Sequence, residues 1–370
     1  MILSCEKTVF GGLGLCRTEN GIVFAQGLMP KEIAECSSAG KSGGIPLFTV
    51  KNLIERSPHR REPFCKYFGL CGGCDWQFMD YQFQISRKIE IFLDVMKRTG
   101  KISAISKPKI FFDNEKSYRI RVKFSVDKKT GKTGFLSKKS HDIVEIEECQ
   151  LLSENLNVFL KNLTGTNRKN ITAIDAETAV ISSLDNNTGE ICVGEYKFEV
   201  NGYSFFQANR FLTPKMALWC AEQLDFCETL FDIYGGVCLF SVFCIKKVKK
   251  IILAEVDEGM AKAAQKTFDK NGIKNAVASA LPAEKFFTQN RIKPDCIIVD
   301  PPRVGISKEA ANGIVSLSPR KIIYISCDIS TQARDCNFFV NECGYKIQKT
   351  AIFDCYPNTF HIESGIVLGK

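Results

Sequence analysis

Four short stretches carry residue types able to do covalent chemistry or to hold a charged ligand. In Ile325-Ser-Cys-Asp-Ile-Ser-Thr331, Cys327 lies just past an apolar run. A cysteine there is a nucleophile when a base or a helix N-terminus lowers its pKa, and otherwise a buried structural thiol. Asp300-Pro-Pro-Arg303 follows another apolar run. Its prolines fix an extended, donor-poor turn suited to the floor of a pocket for a planar ring, with Asp300 left as an acceptor. Near the C-terminus, His361-Ile-Glu363 precedes the strand-like IVLG, and Glu363 can serve as a general base. His361 reads as structural, and only three histidines argue against a histidine-rich metal centre.

The fourth stretch is Phe231-Asp-Ile-Tyr-Gly-Gly-Val-Cys-Leu-Phe-Ser241, a glycine-rich turn after a strand, as in cofactor loops. Cys238 stands where such loops carry a second, spaced glycine. If the position requires φ > 0, its Cβ costs on the order of 1 kcal/mol. A thiol lying against a cofactor would add a steric cost, so Cys238→Gly should tighten binding.

A cysteine cluster, Cys65-KYFGL-Cys71-GG-Cys74, has spacings of five and two, with Cys149 further on. Three close thiolates and a distant fourth can close a tetrahedral zinc site or hold an iron–sulfur cluster. Gly72 and Gly73 leave room for N–H groups aimed at sulfur. Spacing alone leaves both metals open, and buried thiols as well.

The elements that must position these residues follow from pattern. Residues 118–148 alternate like strands around turns at Thr130-Gly131 and Thr133-Gly134, and Tyr81–Thr99 has apolar residues at helical spacing. After about residue 200, Thr229–Ile233, Lys250–Val256, Asp295–Val299 and Lys321–Ser326 are short β-branched runs. The helix Glu258–Lys270, closed by Asn271-Gly272, lies between the second and third. Strand–helix alternation implies a mostly parallel sheet with ligands bound beyond the strands' carboxyl ends, where YGGVC, AEVD, DPPR and SCD all fall. Residues 1–62 read as the short strands and turns of a small β-barrel, with SPHRREP (57–63) a basic linker.

Composition fits an ordinary globular protein of 370 residues, 45% hydrophobic and 25% charged, in two or three domains. No stretch nears the roughly 18 apolar residues of a membrane span, and the N-terminal apolar run is too short for a secretory signal. Seventeen cysteines without such a signal argue against a secreted disulfide framework, so a cytoplasmic monomer is expected. The net charge of +9 suits a polyanion. From Lys97 to Lys139 there are fourteen lysines and arginines against three acids, interleaved with Phe111, Phe112, Tyr118 and Phe124. Cations for phosphates and flat rings for bases are how single-stranded RNA is gripped.

Taken in order, these stretches resemble the bacterial 5-methyluridine RNA methyltransferases. CKYFGLCGGCDWQFMDYQFQISRK is similar to the family's iron–sulfur signature, YSFFQANRFL to its FxQxN segment, and DIYGGVCLFS to its cofactor loop. AEVD, DPPRVG, ISCDISTQARD and NTFHIESGIVL match the remaining motifs, and residues 1–62 resemble a TRAM barrel. The resemblance implies a TRAM-like RNA-binding barrel at 1–62 and a central α+β domain with the cluster at 63–200. A Rossmann-like S-adenosylmethionine-dependent catalytic domain would occupy 201–370.

The implied substrate is RNA, 23S rRNA before tRNA, methylated at uracil C5. Cys327 would add to C6 and Glu363 remove the C5 proton, with Asp300 and Arg303 positioning the base. Gln207, Asp232, Tyr234, Gly236, Glu255 and Asp300 would contact S-adenosylmethionine, and Cys65, Cys71, Cys74 and Cys149 would hold a 4Fe–4S cluster. Where the family has SCNP this chain has Ser326-Cys-Asp-Ile329, which sets the Asp328 carboxylate beside the nucleophile and should raise its pKa. Two other readings compete: a catalytically silent RNA-binding iron–sulfur protein, and a methyltransferase for another base or DNA. Arg303 and the Cys327–Glu363 pair count against the last.

Overall fold

Alternating apolar residues close the first part of the chain on itself. The computed structural model describes residues 1–138, 140–163, 166–185 and 187–370; Lys139, the end of the basic run, lies outside them. Strands β1 (Ile2–Thr8), β2 (Gly14–Thr18), β3 (Gly21–Gln26), β4 (Ile33–Ser42) and β5 (Ile45–Glu55) form a closed barrel in the order β1-β2-β3-β5-β4. Its inward positions, among them Leu3, Cys5, Cys16, Val23 and Ala34, make a core of their own. The linker expected at 57–63 is pinned. Arg60 forks onto the fully buried Glu32 at 2.5 and 2.7 Å, and Arg61 forks onto Glu115 at 2.7 and 2.5 Å.

Helix α1 (Tyr81–Arg98) starts where the Asp80 carboxylate accepts from the Phe83 N–H at 2.7 Å, and Lys97 and Arg98 complement its C-terminal dipole. The short strand β6 (Lys109–Phe111) follows. Strands β7 (Arg121–Val126), β8 (Thr133–Leu136) and β9 (Ile143–Glu145), helix α2 (Glu154–Lys161), and strands β10 (Asn170–Asp175) and β11 (Val180–Ser182) come next. They build a five-stranded sheet ordered β11-β10-β7-β8-β9. The turn at Gly131 (φ 74°) is as expected, but Thr133-Gly134 is strand, because Gly134 pairs with both Ser125 and Glu145. A Cβ there would collide with the Val144 carbonyl, so this glycine serves close strand approach. Strands β12 (Thr188–Val193) and β13 (Tyr196–Asn201) form a separate hairpin.

The remaining chain alternates helix and strand: α3 (Thr213–Glu222), β14 (Cys227–Ile233), α4 (Leu239–Cys244), β15 (Val248–Glu255), α5 (Glu258–Lys270), β16 (Ala276–Ala280) and α6 (Ala283–Gln289). Then come β17 (Cys296–Val299), α7 (Lys308–Leu317), β18 (Lys321–Ser326), α8 (Ile329–Asn337), β19 (Lys346–Phe353) and β20 (Glu363–Gly369). The eight-stranded sheet runs β16-β15-β14-β17-β18-β20-β19-β6, with β14 to β18 parallel and β20 antiparallel to both its neighbours. Its edge strand β6 comes from far upstream and pairs with β19. Leu230, Ile298 and Ile323 face one core, Phe231, Ile297 and Tyr324 the other, so β14, β17 and β18 read as unbroken apolar runs. Strand order reverses at β14, which opens a crevice beyond the carboxyl ends of β14 and β17.

Candidate active site

The sheet register brings Cys327 and Glu363 together. Ser326 at the end of β18 pairs with Ser364 of antiparallel β20, so the next residue of β18 faces the one before it on β20. Asp300 follows β17 directly, its N–H donating to the Ile233 carbonyl at 3.4 Å, and the Thr331 hydroxyl donates to the Arg303 carbonyl at 3.1 Å. Four motif residues, spread from position 300 to 363, are thus brought to one end of the sheet.

Their charges are interdependent. Burial, then the Glu363 and Asp300 carboxyls, push the Cys327 thiol up to about 12, while the Arg303 guanidinium pulls the other way. Glu363, 2% exposed, is held well above the usual carboxylate range by burial and then by Asp300, again opposed by Arg303. Burial, with Asp232 and Glu255 nearby, raises Asp300 to about 8. Burial first, then Arg303, lowers His361 to about 4, which keeps its ring neutral. The expectation for Asp328 needs correcting. Its carboxylate caps α8, accepting from the Ser330 and Thr331 N–H groups at 2.9 and 3.1 Å, and the carboxyls that raise the thiol are Glu363 and Asp300.

A second cluster lies where β14 and β15 end. Asp232 is fully buried with neither carboxylate oxygen hydrogen-bonded, and burial lifts it to about 7, offset in part by nearby Ser241. Glu255 accepts from the Gly236 N–H at 3.0 Å through one oxygen and from the Asp257 N–H at 2.9 Å through the other, which ties the glycine loop to β15. Gly235 must lack a Cβ because Leu253 would lie 2.5 Å from it. Tyr234, Gly236 and Cys238 all have positive φ, at 61°, 54° and 64°. The strain foreseen at Cys238 is therefore present, but the steric half of that expectation fails. The thiol is fully buried in the core, 3.6 Å from the Ala264 carbonyl, and does not line the loop's open side.

Tyr234 packs toward the face covered by α6, α7 and α8, in a groove of about 800 Å³ with Glu284, Pro302 and Val304. Gln207 is buried beside exposed Phe205, and Asn209 anchors that segment by donating to the Cys355 carbonyl at 3.2 Å.

The four cysteines border a single cavity of about 260 Å³ together with Arg119. Burial lifts Cys74 to about 12 and also raises Cys71 and Cys149, while the Gly73 N–H donates to the Cys71 sulfur at 3.4 Å. Among the described residues, no three histidine, cysteine or carboxylate side chains are arranged to hold a metal ion.

A family model described as tRNA (Uracil-5-)-methyltransferase matches residues 183–370, which include every residue of both carboxyl clusters. The chain belongs to this family. An RNA methyltransferase of Treponema denticola is 30% identical over 98% of this chain and 97% of its own. A 23S rRNA (uracil(1939)-C(5))-methyltransferase of Marinomonas sp. is 26% identical over 96% and 92%. The fold is that of S-adenosylmethionine-dependent methyltransferases. A Pyrococcus abyssi tRNA (uracil-54, C5)-methyltransferase, solved with S-adenosyl-L-homocysteine, superposes over all of both chains with a TM-score of 0.77 at 18% identity. The enzyme is thus an RNA uracil-C5 methyltransferase by family. Asn358 opens the NTFHIESGIVL stretch, but the sequence reading gave it no role: it is buried, has φ 64° and is hydrogen-bonded to four upstream segments. Its sequence signal is its place at the head of that stretch and an asparagine, a residue tolerant of that conformation, after Pro357.

Proposed function

We propose that the enzyme methylates C5 of a uridine in 23S rRNA through a transient bond between Cys327 and uracil C6. The observation that carries this is the Cys327–Glu363 pair across the β18–β20 register, with Asp300 and Arg303 beside it. Bound S-adenosylmethionine supplies an electrophilic methyl group. The Cys327 thiolate adds to C6, the electrons move to C5 and O4, and C5 takes the methyl as the S–CH3 bond breaks and sulfur leaves as a neutral thioether. Glu363 then removes the C5 proton and the Cys327–C6 bond breaks, restoring the ring and the thiolate. The ring's carbonyl oxygens and N–H would be held by Arg303 and Asp300. Because burial biases the thiol and the carboxyls toward their neutral forms, activation couples the arrival of the cation to the loss of a proton.

Asp232, Glu255, Gly236, Tyr234 and Gln207, with Asp300, would hold the methyl donor. A buried, unpartnered carboxyl beside a strand-end acid suits a ligand with two positive charges and ribose hydroxyls. The four cysteines would hold a 4Fe–4S cluster. The observation that supports a site there is the one cavity that all four border, and three close thiolates with a distant fourth are the ligand set such a cluster takes. Residues 1–62, 63–200 and 201–370 would work as a TRAM-like RNA grip, a cluster-bearing central domain and a Rossmann-like catalytic domain.

Nucleoside mass spectrometry of ribosomal and transfer RNA from cells with and without the gene tests the substrate. Loss of 5-methyluridine from 23S rRNA is expected, and loss from tRNA alone would overturn that choice. Cys327→Ala should reduce methyl transfer to background while RNA binding persists; transfer that survives would remove Cys327 as nucleophile. An absorption spectrum of anaerobically purified protein should show a brown chromophore, which zinc cannot give.

A further inference from the structure

Asn358 lies five residues before Glu363, in the loop that also carries His361. It is fully buried, in a left-handed conformation, and makes six hydrogen bonds to segments 243 to 297 positions earlier in the chain. Its carbonyl accepts from the Asp75 and Trp76 N–H groups at 2.9 and 3.0 Å. Its N–H donates to the Gln84 side-chain oxygen at 2.8 Å, and its side-chain oxygen accepts from Gln84 at 3.1 Å and Arg61 at 2.9 Å. Its amide group donates to the Glu115 carbonyl at 3.4 Å. Asp75 directly follows Cys74, so the cysteine loop meets the backbone carbonyl of this residue, while α1 and the pinned linker meet its side chain. Next to it, Phe360 packs over Gly12 of the barrel, whose carbonyl accepts from the Trp76 indole at 3.1 Å.

We propose that Asn358 is a positioning residue, whose side chain holds the 356–363 loop in register with α1, the pinned linker and the Glu115 segment and so aims Glu363 at the C5 proton. Nothing else in the loop reaches so many partners: Thr359 bonds only to Tyr356 and to the His361 N–H within the loop itself. The proposal rests on the reading of Glu363 as the base. A group held in place by a buried network loses as much as a hundredfold in rate when it moves by about 1 Å.

The test compares Asn358→Gly, which keeps the backbone conformation and deletes three side-chain bonds, with Asn358→Asp, which retains the acceptor for Arg61 and Gln84. Steady-state methylation of uridine-containing RNA is measured, and a denaturing gel scores RNA bound covalently to protein. Asn358→Gly should lower kcat about ten- to a hundredfold with KM for RNA and S-adenosylmethionine within about twofold. A methylated protein–RNA adduct should also accumulate, because the Cys327–C6 bond breaks only after the C5 proton leaves. Asn358→Asp should recover most of the rate. Arg61→Ala, at a partly exposed side chain, should give the same pattern more weakly and guards against misfolding of the glycine variant. Unchanged kcat in Asn358→Gly, a loss confined to RNA affinity, or a normal rate in Arg61→Ala beside a melted glycine variant would each overturn the proposal. If Glu363→Gln itself traps no adduct, the base assignment fails, and the Asn358 role is decided on the kcat ratio of the glycine and aspartate variants.

Discussion

Asp232 and Asp300 are the residues whose ionisation the fold distorts most usefully. Burial raises them to about 7 and about 8, so the ligand-free protein carries protons that the unfolded chain releases above the ordinary carboxylate range. The unfolded state binds fewer protons in that window, so the stability from these groups is complete below about pH 4. It is lost as pH rises through 7 to 8. Thermal melts of the ligand-free enzyme should therefore show a falling midpoint between pH 5.5 and 8.5. Asp232→Asn should flatten that slope, and saturating S-adenosylmethionine should restore the midpoint most at the alkaline end. A midpoint that climbs over the same range in both proteins would contradict the burial argument. None of this was readable from Asp232 in the sequence, because its isolation depends on what the sheet packs around it.

At the scale of elements, α5, α1 and the strands β14, β15, β17 and β18 were legible because period, caps and breakers agree. Asp257 and Asn271-Gly272 bracket α5 over the residues expected, and Asp80 opens α1 one residue before its first helical position. β16, β19 and β6 went unread: Ala276–Ala280 is short and small, and Lys109–Phe111 acquires its strand only from β19. The start of α4 shows the same limit. Pattern identified the glycine loop, and the positive φ at Cys238 is real, yet only packing tells that the thiol points into the core. Cys238→Gly removes about 1 kcal/mol of strain and a comparable amount of buried thiol contact. The melting midpoint should move by less than about 3 °C, and calorimetry should show S-adenosylmethionine affinity changed by no more than about threefold. A tenfold tightening would mean that the loop, not the core, bears the strain.

At the scale of the molecule, long-range pairs connect parts that sequence alone separates. Lys88 of α1 and Asp354 beyond β19 form an ion pair of 2.5 Å, both fully buried, and Lys88 also donates to the Tyr356 carbonyl at 3.0 Å. Removing one partner strands the other charge in the core. Lys88→Met should destabilise the protein by about 3–5 kcal/mol in denaturant titration, and adding Asp354→Leu should recover much of it. Additive losses in the double variant would show that the two side chains act independently.

The pairing of β6 with β19 has a consequence for how the protein is made. Chains are made from the N-terminal side, so Lys109–Phe111 emerges well before the strand that it pairs with, Lys346–Phe353. Until then Phe111 waits without Phe353, the ring on which it finally stacks at 5.0 Å. The barrel can close early on its own contacts. The catalytic sheet has to be finished by strands from two distant parts of the chain, which makes premature termination anywhere before β19 costly to the upstream edge strand as well.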